Sequence, residues 1–365
     1  MTLFFLILFL SSLLIVSFFY LPKFGKHPSG EHLELIKKSP NFKNGSFANL
    51  NYTPALTEGA SYYTVLKEFI YGNKQRVKPL KEIPAIKTNL HTLDINQNLL
   101  VWFGHSSYYF QLDGKRFLVD PVLSGNASPV PGSIKAFKGA NIYSADDIPE
   151  IDYLFITHDH WDHLDYKTII KLKSKIKVIV CGLGTGSHLK HWGFKNEQII
   201  ENDWHSNINL ESGFVVNTLP ARHFSGRGLV RNKTLWASFL LQTPSMKIFI
   251  GGDSGYDTHF AEIGKRFGEI DLVILENGQY DKNWKYIHTH PHEFLNVAKE
   301  LNAKHVFPVH SGKFALANHA WHEPLSKVYE YNKTEMLSLV TPLIGEIVNL
   351  NALQQDYKQW WLSVE

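Results

Sequence analysis

The sequence contains one cysteine, Cys181, in 365 residues. That excludes an intramolecular disulfide and any cysteine-based zinc finger, and it leaves the redox compartment unreadable from cysteine usage. Net charge is scarce too, since 37 Lys and Arg against 34 Asp and Glu leave +3. A surface built to neutralise a run of phosphates needs more, so nucleic acid is not an expected partner. Charged residues are 19% of the chain, under the ~25% of an average globular protein. There is no internal repeat, and no G-x-S-x-G elbow to supply a serine nucleophile. Hydrophobic residues make up 44%, enough for a sizeable core, and histidine is unusually frequent at 19 residues. At ~150 residues per domain the length allows two domains or one large one.

Long apolar runs are limited to one. From Leu3 to Leu21 the chain reads LFFLILFLSSLLIVSFFYL, 19 residues without a charge, just long enough for a ~30 Å hydrocarbon core. No Lys or Arg precedes it and no A-x-A-like site follows, so residues 1–22 are expected to be an uncleaved single-span membrane anchor and not a cleaved signal peptide. Lys23, Lys26, Lys37, Lys38 and Lys43 follow the run. The positive-inside rule then puts the body on the cytoplasmic side, with a periplasmic or extracellular position as the alternative. Residues 23–96 are polar and broken by Pro and Gly, and read as an irregular arm; 97–350 read as the main domain and 351–365 as a tail.

The main domain is α/β. LLVWF, SYYFQL and RFLVD have the character of meandering strands, the last two joined by Asp113-Gly114, a strong hairpin signal. IDYLFIT, IKVIVC, the run into Ile200, FVVNTLP, LWASFLLQ, MKIFIGG, DLVILE and HVFPV follow as strands. Helical segments are expected at 166–174, 187–192, 258–267 and 292–301. Two halves that each begin antiparallel and turn to β-α alternation predict a four-layer αββα sandwich, two mixed sheets with helices outside. IDYLFI and DLVILE are apolar throughout, as strands covered on both faces should be.

Just past IDYLFIT comes His158-Asp159-His160-Trp161-Asp162-His163-Leu164-Asp165. Three histidines and an aspartate in H-x-H-x-D-H spacing can be brought round one point by a tight turn, and imidazole and carboxylate are both metal ligands. Four ligands in one loop are too many for one open catalytic metal and too few for two. Further candidates stand directly after other apolar runs, where α/β sheets place their sites: His223 after FVVNTLP, Asp253 after MKIFIGG and His310 after HVFPV.

THDHWDHLD resembles the signature of the metallo-β-lactamase superfamily. GHSSYYFQLDGKRFLVDPVLSGNASP, GGDSGY, FAEIGKRFGEIDL and HSGKFALAN resemble one branch of it, the N-acylphosphatidylethanolamine-hydrolysing phospholipase D family, here as a bacterial-type, membrane-anchored member. The match runs from Trp102 to about Pro324, roughly three-fifths of the chain. The resemblance implies His158, His160 and His223 on one zinc, Asp162, His163 and His310 on a second, and Asp253 bridging both. It also implies a substrate-side histidine, aligned with His288 and crowded by His290 and His292. Ser311, Lys313 and the segment Asn277-Gly278-Gln279-Tyr280 depart from the family pattern and are expected around the mouth of the site.

The expected chemistry is attack of a hydroxide bridging two Zn2+ ions on a phospholipid phosphodiester, with Asp162 and His288 as catalytic residues and His288 protonating the leaving group. The expected partners are a phospholipid substrate and a membrane, and a homodimer is kept open. Two other functions are carried beside this one: a zinc-dependent acyl hydrolase such as a lactonase or amidase, and a non-catalytic membrane-tethered metal-binding protein. His105 and Asp120 are read as loop-fixing or surface residues, Lys135 and Lys138 as solvated lysines, and Trp360 and Trp361 as packing or interfacial.

Overall fold

The computed structural model describes residues 2–72, 76–211 and 213–364. Two seven-stranded sheets face one another. In chain order the strands are β1 Leu99–Trp102, β2 Tyr108–Leu112, β3 Lys115–Val119, β4 Ile151–Ile156, β5 Ile176–Gly182, β6 Ile199–Asn202, β7 Asn207–Glu211, β8 Phe214–Leu219, β9 Ser238–Gln242, β10 Lys247–Ile250, β11 Ile270–Glu276, β12 Ala303–Val309, β13 Ser338–Leu339 and β14 Ile347–Asn349. The first sheet runs β14-β1-β2-β3-β4-β5-β6 and the second β13-β12-β11-β10-β9-β8-β7. Each is antiparallel at one end and parallel at the other, as expected.

Side-chain alternation explains the layering. In β3, Phe117 and Val119 join the core between the sheets, while Leu118 joins the core beneath the outer helices. In β11, Leu272 and Ile274 point between the sheets, and Val273 and Leu275 point outward. Period two with both faces covered is why these strands are apolar throughout. Helices α4 (Tyr166–Leu172) and α5 (Thr185–His191) cover the first sheet through Ile169, Leu172 and Leu189. Helices α6 (His259–Phe267), α7 (Pro291–Glu300) and α8 (Glu323–Glu335) cover the second through Phe260, Phe294 and Val328. The β2–β3 turn has φ of 48° at Asp113 and 75° at Gly114, the two positive values a two-residue hairpin turn of this kind requires.

The arm is more ordered than its composition suggests. It contains a short helix α2 (Gly30–Ile36) and a ten-residue helix α3 (Tyr62–Tyr71), started by a reciprocal Ser61–Thr64 cap. At the other end of the chain, Trp360 and Trp361 are buried against the body, so these two tryptophans pack.

The N-terminal anchor expected from sequence is corrected. The apolar run forms helix α1, Thr2–Phe19, of 18 residues. That is about 27 Å at 1.5 Å per residue, short of a ~30 Å core. The chain then turns, and a single 3-10 turn begins at Pro22. Among the described residues no helix is long and apolar enough to cross a membrane, so the membrane side argued from the flanking lysines falls with the anchor. Phe18 and Phe19 pack instead on Phe24, each with ring centroids 5.2 Å apart.

Candidate metal centre

The strand ends converge between the sheets, and the residues expected to bind metal arrive there together. The loop after β4 supplies His158, His160, Asp162 and His163; Asp253 follows β10, His310 follows β12, and His223 lies just beyond β8. His158, His160 and His223 form one set whose ligand-capable atoms lie within 4.8 Å of one another. Asp162, His163 and His310, joined by His105, form a second. Asp253 stands between them. Its Oδ2 is 3.8 Å from His158 Nε2 and 3.7 Å from His223 Nε2, while its Oδ1 is 3.2 Å from both His163 Nε2 and His310 Nδ1.

The donor set fits metal ions. His160 Nδ1 lies 2.8 Å from His158 Nε2 and 3.2 Å from His223 Nε2. Three imidazole nitrogens aimed at one point cannot all be satisfied by sharing a proton. Their spacing is near the roughly 3.3 Å between two nitrogens on a tetrahedral zinc. His163 Nε2 and Asp253 Oδ1 are buried and have no hydrogen-bond partner within the protein.

Neighbouring groups fix which ring nitrogen faces inward. Thr157 Oγ1 donates to Asp120 (2.6 Å), so it accepts from His158 Nδ1 (3.1 Å) and leaves Nε2 for the cluster. His163 donates Nδ1–H to Asp120 Oδ2 at 2.8 Å, and His223 donates Nδ1–H to Ile287 O at 2.8 Å. His105 reaches Asp162 Oδ2 at 2.9 Å, whereas Ser106 Oγ meets His310 at Nδ1 (2.9 Å), the same nitrogen that faces Asp253, and so selects no tautomer there. His105 and Asp120 are therefore buried supports of the clustered side chains and not surface residues. Asn49, from the arm, holds the His223 peptide from both sides, donating to its carbonyl at 2.8 Å and accepting from its N–H at 3.1 Å. His105, Asp120 and His310 all adopt positive φ, at 54°, 39° and 67°. Each costs about 1–3 kcal/mol.

Electrostatics agree with ligand chemistry at four of the five clustered histidines, His163 being the exception. Burial holds His158, His160, His223 and His310 below the usual imidazole range, in the neutral form a metal needs. For His163, burial is outweighed by Asp253 and Asp162, which raise it well above that range. Burial would raise both Asp162 and Asp253, but His163 and its neighbouring histidines pull both well below the carboxylate range.

The loop after β4 is braced from behind. Arg227, fully buried, donates from Nη1 to Asp159 O (2.8 Å) and Leu164 O (2.7 Å), the two ends of the loop. It also donates from Nε and Nη2 to Lys23 O, at 3.0 and 2.9 Å, and stacks 4.0 Å over Trp161. Asp159 accepts from Gly226 N (2.6 Å) and from His188 Nε2 (3.1 Å), and the Lys26 N–H fixes that tautomer by donating to His188 Nδ1 at 3.0 Å. Asp159 thus faces away from the cluster.

The cluster floors a cavity of about 290 Å³, lined also by Ala55, Leu56, Tyr62, Val65, Trp284 and Leu316, with His288 on one wall and Arg231 at the rim. His290 and His292 do not line it. A wider cleft of about 510 Å³ elsewhere, lined by Lys23, Lys135 and Lys167, holds no such ligand set. Three residues escaped the sequence reasoning. Glu276, at the end of β11, accepts from His288 Nδ1 at 2.5 Å, and burial lifts its carboxyl to about 7 against the opposing pull of His288. Arg227 and Asn49 carried no spacing signal, whereas a carboxylate closing an apolar strand, as at Glu276, is the signal that found Asp253.

The departures from the family pattern lie deeper than expected. Ser311, Lys313 and Asn277 are buried. Lys313 Nζ donates to Phe103 O (3.0 Å) and Val122 O (2.9 Å), beneath the cluster. Burial lowers its pKa from 10.5 to about 7. Between those values the unfolded chain binds the extra proton, so stability rises with pH from about 7 to 10, by up to ~1.4 kcal/mol per unit. Lys313→Met is expected to flatten that rise in urea unfolding followed over this range. A variant keeping the full wild-type slope would show that another group titrates.

A family model described as a beta-lactamase superfamily domain matches residues 115–311. An uncharacterized protein of Mycobacterium tuberculosis is 33% identical over 331 residues, covering 89% of this chain and 88% of its own. The N-acyl-phosphatidylethanolamine-hydrolyzing phospholipase D 1 of Caenorhabditis elegans is 28% identical over 344 residues, covering 87% and 94%. Among solved structures, Igni18, a metallo hydrolase from Ignicoccus hospitalis, matches with a TM-score of 0.53 at 18% identity, over 69% of this chain and 97% of that one. With the fold, the matched model and the clustered histidines and aspartates in agreement, the chain belongs to the metallo-β-lactamase superfamily, as a metal-dependent hydrolase of that fold.

Proposed function

We propose that the protein is a phosphodiesterase of the phospholipase D type, acting on N-acylphosphatidylethanolamine-like phospholipids. The observation that carries this is the placement of Asp253, one oxygen toward each ligand set, at the floor of a cavity whose wall is apolar. The name of the worm relative supports the same substrate class. We take His158, His160 and His223 as ligands of one divalent ion, Asp162, His163 and His310 as ligands of the other, and Asp253 as shared. Two such ions would supply a water of lowered pKa and polarise the ester.

The chain's own groups do the rest. Leu56, Tyr62, Val65, Trp284 and Leu316 form an apolar wall for the acyl part of an amphiphile. Arg231, 5.0 Å over the Phe224 ring at the rim, offers the cavity lining its one guanidinium and would meet the phosphate charge. His288 presents a ring nitrogen to the cavity, where a leaving oxygen needs a proton. Asp162 holds its metal ion while His105 fixes its orientation.

The test is a metal count on the purified full chain, alongside hydrolysis of N-acylphosphatidylethanolamine in mixed micelles and of a chromogenic phosphodiester. Two metals per chain with phosphatidic acid released supports the proposal, and His163→Ala should abolish both. Two metals with activity only on acyl esters would replace it with an acyl hydrolase. Arg231→Ala is expected to raise KM for anionic phosphodiesters about tenfold, ~1.4 kcal/mol, with kcat little changed. A loss confined to kcat would put Arg231 elsewhere in the cycle.

A further inference from the structure

We propose that Glu276 is a positioning residue that aims His288 at the leaving group as a proton donor, an inference that rests on the hydrolytic function proposed above. Glu276 closes β11 and is buried. Its carboxylate accepts three hydrogen bonds: Oε2 from His288 Nδ1 at 2.5 Å, and Oε1 from Ser254 N at 3.1 Å and Thr289 N at 2.8 Å. Thr289 Oγ1 donates in turn to Ser254 O at 2.6 Å. One side chain thus ties together the end of β11, the loop that carries Asp253 and the loop that carries His288.

Asp253, Glu276, His288 and His310 also lie within the reach of a metal-binding group. Three N–H donors occupy all but one lone pair of the carboxylate and hold it in place, which favours orientation over ligation. Holding Nδ1–H on the carboxylate leaves Nε2 as the ring nitrogen that can meet a substrate. The ring stands beside both ligand sets, with centroids 5.1 Å from His223 and 5.3 Å from His310, and it lines the cavity. A leaving oxygen expelled from a tetrahedral or trigonal-bipyramidal centre over Asp253 therefore departs past this ring.

The step consumes one water and balances with it. The water oxygen forms a new bond to phosphorus and gives one proton to solvent, while the bond from phosphorus to the leaving oxygen breaks and its electron pair stays on the leaving oxygen. The Nε2 proton of the His288 imidazolium passes to that oxygen, and the ring is left neutral with Nδ1–H still on Glu276. The carboxylate stays ionised and offsets the charge on the imidazolium before transfer.

The test separates positioning from simple structural support by leaving-group dependence. With Glu276→Gln, hydrolysis of diesters with alkoxide leaving groups is expected to fall about 10²–10³-fold. Hydrolysis of p-nitrophenyl diesters, whose leaving group needs no proton, is expected to change by only a few fold. His288→Ala should show the same split, the double variant should lose no more than His288→Ala alone, and Glu276→Asp should recover part of the loss. A readout independent of turnover is the imidazole 15N–1H spectrum of the wild-type protein, where His288 should carry a strongly downfield Nδ1 proton that Glu276→Gln weakens or removes. Equal losses for all leaving groups, or a His288 with Nδ1 unprotonated, overturns the proposal. If the wild-type protein cleaves no phosphodiester, the function proposed above fails, and the imidazole spectrum still decides the role of Glu276. If Glu276→Gln does not fold, the wild-type spectrum and the His288→Ala split carry the test.

Discussion

Replacing Asp253 with asparagine is expected to lower kcat/KM about a thousandfold, ~4 kcal/mol in transition-state stabilisation, and to reduce bound metal from two ions per chain to one or none. The reason is the division of labour within one carboxylate. Oδ1 lies 3.2 Å from nitrogens of His163 and His310, and Oδ2 lies 3.7–3.8 Å from nitrogens of His223 and His158. An amide keeps one oxygen and turns a hydrogen-bond donor toward the other set, so one site gains a group that repels a cation. It also removes a negative charge that would offset the charge of the bound ions. Elemental analysis after gel filtration, paired with steady-state kinetics, checks the expectation. A variant that retains two ions and a tenth or more of its activity would show that Asp253 is not shared.

Arg227→Ala is expected to cost about 3–5 kcal/mol of folding stability, the range for removing one partner of a buried, hydrogen-bonded charge. Its guanidinium makes four hydrogen bonds of 2.7–3.0 Å to three backbone carbonyls. Truncation leaves those carbonyls buried without donors and takes the guanidinium off Trp161. Because two of the bonds go to the ends of the loop after β4, metal affinity should fall as well, by about 10–100-fold. Lysine, a point charge without the planar fork, should restore little. Arg231→Ala, at an exposed position four residues on, provides the contrast and should leave stability within ~0.5 kcal/mol of wild type. Urea unfolding of the metal-loaded proteins measures both. An unchanged midpoint for Arg227→Ala would mean that the arm and the loop hold without this brace.

What could be read from the sequence was whatever is local. The ligand loop after β4 packs four metal-capable residues into six positions, and strand ends pointed to His223, Asp253 and His310, because a buried apolar run announces where it stops. The two-sheet architecture followed from the same runs. Pairings made only by the fold stayed hidden. Nothing near Asn49 in the chain points to His223, and nothing near Glu276 points to His288, twelve positions away across a turn. Lys313 read as a rim residue because lysine is rarely buried, yet it sits beneath the cluster on two backbone carbonyls. Helix α3 was lost in the arm, since none of its residues is buried and the core leaves no imprint on it. The apolar run misled in the other direction: composition counted Tyr20 and Leu21 into a span, whereas the backbone ends the helix at Phe19.

The pairing of β14 with β1 bears on how the protein is made. Ile347, Val348 and Asn349 lie beside Val101, Leu100 and Leu99, so the outer edge of the sheet translated first is completed by residues made only after the whole second sheet. At ~5–20 residues per second, the roughly 250 residues between them take roughly 12–50 s to synthesise. For that interval the nascent chain carries an open, wholly apolar strand edge of the kind that recruits other chains. A message cut short between Leu339 and Ile347 would therefore damage the sheet translated first, leaving the described strands of the second sheet encoded but the first permanently unsealed.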